Sequence, residues 1–160
     1  MAVNSEILSA LTSGINSEVA AYVFYIEAMK KVDNDELVPI LENLAGEEKK
    51  HFQILERQYD SLVRSEMWIS TADILKQEGL PEIDAEMAEK HRDLIDRINN
   101  LTSVSEILDL ALKLELEAQE LFKKLSAQSK AKEAKMTFDH LAGFEEGHAK
   151  LIRDMIEKFS

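Results

Sequence analysis

A chain of 160 residues with a net charge of −12 and no cysteine is long enough for one domain with a substantial core. Its acidic balance works against phosphate backbones and anionic lipid, and the lack of cysteine removes disulfides, thiolate catalysis and Cys₄ iron sites. Five glycines and two prolines, beside 45% hydrophobic and 31% charged residues, suit amphipathic helices rather than a sandwich or barrel. No basic and apolar leader is visible, and no stretch nears the roughly 18 uncharged apolar residues of a membrane span. A cytoplasmic protein touching neither nucleic acid nor membrane is expected.

The first predicted helix covers about residues 4–32, with Leu8, Leu11, Ile15, Tyr22, Tyr25 and Met29 on one face. Asp33-Asn34-Asp35 breaks it and offers cap oxygens to a second helix over about 35–62. That helix carries Leu37, Leu41, Leu44, Phe52, Leu55, Tyr59 and Leu62, with Pro39 in its first turn. A long insert, about 63–102, holds a short helix that Thr71 can cap and that ends by Gly79 and Pro81. It also holds one amphipathic piece with Ile83, Met87, Leu94, Ile95 and Ile98. A third long helix, about 103–126, opens on a capping box of Ser103 and Glu106. A fourth, about 131–159, carries Phe138, Leu141, Ile152, Met155 and Phe159. Two short loops and one long crossover describe an all-α four-helix bundle in a single domain over 1–160.

Each of the four apolar stripes is interrupted at its centre. Glu18 stands between Ile15 and Tyr22, Glu48 and His51 between Leu44 and Leu55, Glu115 between Ala111 and Ala118, and Glu145 and His148 between Leu141 and Ile152. The halves repeat: Glu18 and Glu115, Glu48 and Glu145, and His51 and His148 are each 97 residues apart. Leu44-Ala45-Gly46 before the first Glu-x-x-His recurs as Leu141-Ala142-Gly143 before the second. In each half the lone Glu precedes the motif by 30 residues with a loop midway. Both therefore lie about 20 Å from their turn in an antiparallel pair, at one height in the bundle.

Four buried carboxylates repel one another and lose hydration. Two divalent cations cancel their charge. A Glu and a His at i and i+3 share a helix face, so both can reach one ion. Carboxylate with imidazole suits iron or manganese. A single Glu-x-x-His on a helix is commonplace; two at one offset, each with a seam Glu upstream, are not. The pattern of one Glu from each of two helices and Glu-x-x-His from the other two is that of di-iron and di-manganese bundles. The predicted ligands are Glu18, Glu48, His51, Glu115, Glu145 and His148, holding two irons, with manganese or mixed occupancy chemically allowed.

At these residues the chain resembles the ferritin-like superfamily, and within it the rubrerythrin-like di-iron carboxylate proteins. The resemblance covers the four long helices and not the insert. It implies that Glu48 and Glu115 bridge the metals, that Glu18 and Glu145 are terminal or chelating, and that His51 and His148 each bind one iron. It further implies an oxidoreductase, peroxidase- or ferroxidase-like, acting on hydrogen peroxide or oxygen and forming a homodimer. The chain departs from the family in having no Cys-rich rubredoxin-like domain, so an external electron donor protein is expected. It also has Ala118 where rubrerythrins carry an extra Glu, which leaves the two half-sites alike. The ligand pattern is equally similar to the ferroxidase centre of bacterioferritin, but the chain stops twelve residues after His148, without a fifth helix. An Fe(II)-oxidising iron-handling protein, and a non-enzymatic helical binding module with a relic site, are the alternatives.

Tyr25, two turns after Glu18, is placed either beside the site, as a hydrogen-bond partner of a ligand carboxylate or a source of an electron, or as amphipathic core. Gly46 and Gly143 sit inside helices, where glycine costs about 1 kcal/mol against alanine; close helix approach, room near the metals or simple packing could offset that. Glu117, Glu120, His91 and His140 are placed outside the site, and Trp68 is expected to pack the insert on the bundle.

Overall fold

The computed structural model of the chain describes residues 5–159. Four long helices, α1 (Ser5–Lys31), α2 (Leu37–Ser65), α6 (Val104–Gln128) and α7 (Lys132–Phe159), are joined by an insert holding α3 (Thr71–Leu75), α4 (Ala85–Glu89) and α5 (Arg92–Asn99). No strand occurs among the described residues. The expected start of the first helix at Asn4 lies outside them. None of these helices is long and apolar enough to cross a membrane.

Local chemistry sets the boundaries. Asn34 Oδ1 accepts the N–H groups of Glu36 and Leu37 at 2.9 and 3.0 Å, covering donors that the first turn of α2 leaves unpaired. At the start of α6, Ser103 Oγ accepts from the N–H of Glu106 at 3.1 Å. Glu106 reaches back to the hydroxyls of Thr102 and Ser103, so the expected capping box is present. α2 ends on Glu66 in the left-handed region, φ 57°, with its N–H returning to the carbonyl of Leu62.

α1 lies along α2, α6 along α7, and α1 also meets α6. Tyr25 reaches Glu115 while Gly14 lies against Phe122, so α1 and α6 are antiparallel. His51 meets Glu145 and His148 meets Glu48, so α2 and α7 are antiparallel too. Two apolar clusters occupy the ends of the bundle. One gathers Phe24, Leu37, Leu41, Leu108 and Ile152; the other gathers Leu11, Leu55, Phe122, Phe138 and Leu141. Each fully buried Leu or Phe contributes about 1.5–3 kcal/mol. The clusters can therefore carry a polar central layer that, without cations, disfavours folding.

The insert differs from expectation in three details. Ser70, not Thr71, caps α3, its hydroxyl accepting from the N–H of Asp73, and α3 stops at Leu75. The amphipathic piece is two helices, α4 capped by Asp84 and α5, divided at Lys90–His91. That break lets Met87 and Ala88 pack on Val19, Val23 and Phe52 while Ile98 enters the core beside Phe24. His91, at that break, is half-buried. As a result α1 is buried on two faces, and the insert shields the α1 and α2 side of the bundle at the height of the central layer. Trp68 packs against the cluster that holds Leu62 and Leu125, as expected.

Candidate metal centre

All six predicted residues come together between the two apolar clusters, and all are buried. Glu18, Glu48, Glu115 and Glu145 are at most 1% exposed, His51 4% and His148 5%. Both imidazoles turn Nδ1 inward. His51 Nδ1 lies 3.3 Å from Glu145, 3.6 Å from Glu18 and 3.7 Å from Glu48. His148 Nδ1 lies 2.9 Å from Glu48, 3.4 Å from Glu145 and 3.5 Å from Glu115. The two rings stack at 6.1 Å between centroids, 15° apart.

These side chains form two overlapping groups, Glu18 with Glu48, His51 and Glu145, and Glu48 with Glu115, Glu145 and His148. Within each, the donor atoms lie within 4.8 Å of one another, so each could hold a metal ion. Glu48 and Glu145 belong to both. The shared pair is thus Glu48 and Glu145, not the Glu48 and Glu115 that the resemblance implied. The reason is topological: the two Glu-x-x-His motifs sit on α2 and α7, which face each other antiparallel, so their glutamates meet at the centre. Glu18 and Glu115 flank them.

Five buried carboxylate oxygens, both of Glu18 and one each of Glu48, Glu115 and Glu145, have no hydrogen-bond partner. Unpaired buried acceptors are costly in a native structure. Oxygen donors with inward imidazole nitrogens are a donor set that a metal ion satisfies.

Without cations the layer redistributes protons. Burial, then the charges of Glu48 and Glu145, pushes Glu18 well above the carboxylate range. Burial and the contact with Glu145 outweigh His148 and bring Glu115 up to about 7. Glu48 and Glu145 go the other way. Burial still pushes each up, but Glu18, His148 and His51 around Glu48, and Glu115, His148 and His51 around Glu145, hold them below the usual range. Burial opposes charge on both histidines, yet their carboxylate contacts raise His51 to about 9 and His148 further. Burial and like charge thus prevail on only two of the four carboxylates, because hydrogen bonds from the flanking carboxyls Glu18 and Glu115 and from the two imidazoles favour the charged form of the shared pair.

Tyr25 is fully buried and its hydroxyl donates to Glu115 Oε1 at 2.5 Å, which settles its placement beside the site. Burial and the Glu115 charge hold its own ionisation well above the ordinary value. Tyr22 packs at the edge of the Phe24 cluster. Glu117, Glu120 and His140 are exposed, as expected.

Two residues around the site escaped sequence reasoning. Glu47 Oε2 pairs with the outward Nε2 of His148, and the ring of Phe144 meets that of His51 at 5.0 Å, edge-on. Glu47 and Phe144 are themselves 97 residues apart. The internal repeat could have found them as a position beside the ligands where the two halves differ. His140 stands one ring further out, 4.8 Å from Phe144.

No protein-family model matches the chain, and no curated protein does. Among solved structures the chain is similar to a hypothetical protein from Pyrococcus furiosus, 26% identical, with a TM-score of 0.65 over 94% of this chain and 87% of that one. The likeness therefore spans the insert as well as the four long helices.

Proposed function

We propose that the chain is a non-haem di-iron protein of rubrerythrin-like type, carrying out redox chemistry on hydrogen peroxide or oxygen. The observation that carries this is the pair of overlapping buried groups joined through Glu48 and Glu145. Glu18, Glu48, His51 and Glu145 would hold one metal, and Glu48, Glu115, Glu145 and His148 the other. Iron bound there supplies Lewis acidity and two electrons from adjacent ions. The chain's own groups do the rest. The flanking apolar clusters and the insert keep bulk water from the layer, which strengthens each electrostatic contact inside it. Tyr25 fixes Glu115 by donating its hydroxyl proton to Oε1. An external donor protein would supply the reducing equivalents. Anaerobic loading with Fe(II), followed by rapid mixing with peroxide or oxygen, tests this. Faster iron oxidation by peroxide supports the rubrerythrin-like assignment. A strong preference for oxygen favours the Fe(II)-handling alternative, and inactivity toward both contradicts each of them.

A further inference from the structure

The four sides of the central layer are not equally closed. The insert covers the α1 and α2 side through Ile83, Met87 and Ile95. Tyr25 covers Glu115 between α1 and α6, and α6 lies close along α7. The remaining side is the seam between α2 and α7. Because these helices are antiparallel, their side chains line up along it in the order Glu47, His148, His51, Phe144, His140. The row is acidic at one end and aromatic at the other. Glu47 and Phe144 are each a little over a third exposed, so both stand between the buried imidazoles and solvent.

We infer that the two half-sites are unequal, with Glu47 as the port and positioning residue of the His148 half-site and Phe144 as the seal of the His51 half-site. This rests on the metal-binding reading above. A half-exposed carboxylate can take a hydrated cation and replace part of its water with oxygen, the ligand such ions prefer. A phenyl ring offers no such donor. Glu47 also accepts from Nε2–H of His148, which fixes the tautomer that leaves Nδ1 as the ligand atom and makes the ring a better donor. His51 has an aromatic edge contact from Phe144 in the equivalent place. The ligand sets are alike in the two halves; their approaches are not.

Anaerobic titration of the metal-free full chain with Co(II), followed in the visible spectrum, reads the two halves separately. The wild type should take up two Co(II) per chain in two classes that differ in association rate. Glu47→Gln should lower the affinity of one class by roughly 10–100-fold and slow its association, while leaving the other class unchanged. Glu47→Asp should restore much of both effects, which a merely structural role would not predict. Phe144→Glu should speed association of the second class and leave the first unchanged. Two kinetically identical classes in the wild type, or equal weakening of both by Glu47→Gln, overturn the inference while the metal-binding reading stands. A wild type that takes up no Co(II) overturns both.

Discussion

Tyr25 and Glu115, ninety positions apart in sequence, meet in the core with 2.5 Å between hydroxyl and carboxylate oxygen. The contact ties the first half of the internal repeat to the second, and its counterpart is missing, because the residue 97 positions after Tyr25 is Phe122.

Tyr25→Phe should therefore act on one side of the layer. Hydrogen bonds to charged or partly charged groups are worth about 1.5–3 kcal/mol, so the metal-free protein should lose stability of about that size. Chemical denaturation at fixed pH measures it. Metal stoichiometry should stay at the wild-type value, since Tyr25 supplies no donor to either group of four.

The protons of the metal-free layer make its stability depend on pH. A raised folded-state pKa gives a contribution that is complete below the unfolded value and lost as pH rises through the folded one. Glu115 loses its contribution between about 4.5 and about 7, and His51 between about 6.5 and about 9. Glu48 and Glu145 are lowered and act only on the acid side of that window. The metal-free protein should thus become steadily less stable from mildly acidic pH to about 9. Divalent cations should flatten the dependence by favouring the deprotonated ligands. Matching denaturation profiles with and without metal would contradict this.

Metal loading at neutral pH should release at least two protons per chain, because both histidines carry a proton there in the metal-free layer. A pH indicator in weak buffer reads the release directly. Loading without proton release would contradict the protonated imidazoles of the metal-free layer.

The glycines separate packing from propensity. A Cβ at Gly46 or Gly143 would meet nothing within 4 Å, whereas at Gly14 it would meet Leu55 at 3.0 Å and Phe122 at 3.1 Å. Neither repeat glycine therefore makes a close helix approach or room near the site. Gly46→Ala and Gly143→Ala should each stabilise by about 0.8–1 kcal/mol. Gly14→Ala should destabilise by about 1 kcal/mol, since overpacking against the fully buried Phe122 ring outweighs the helix gain. Thermal unfolding of the three variants checks the contrast.

The long helices were legible because their stripes hold a 3.6-residue period over more than six turns, and six site residues because they break those stripes at a common offset. The second buried face of α1 was not read. The run from Val19 to Ile26 is apolar at every position, and a helix that is apolar all round is buried all round. The sharing of Glu145 rather than Glu115 depends on which helices face one another across the layer, which spacing along one chain does not fix. Glu47 adjoins Glu48 but points along the seam, where periodicity places solvent. The division of the insert at Lys90–His91 follows from where Met87 and Ile98 find partners on the bundle, a tertiary effect with no local break signal in the sequence.

Iron content is the most direct measure of the central claim that Glu48 and Glu145 join two metal positions. Reconstituted anaerobically with excess Fe(II) and freed of unbound metal, the wild type should hold two iron ions per chain. Glu18→Ala or Glu115→Ala should each retain about one, and Glu48→Ala with Glu145→Ala should retain close to none. Wild-type iron near zero, or undiminished iron in the double variant, would contradict the account.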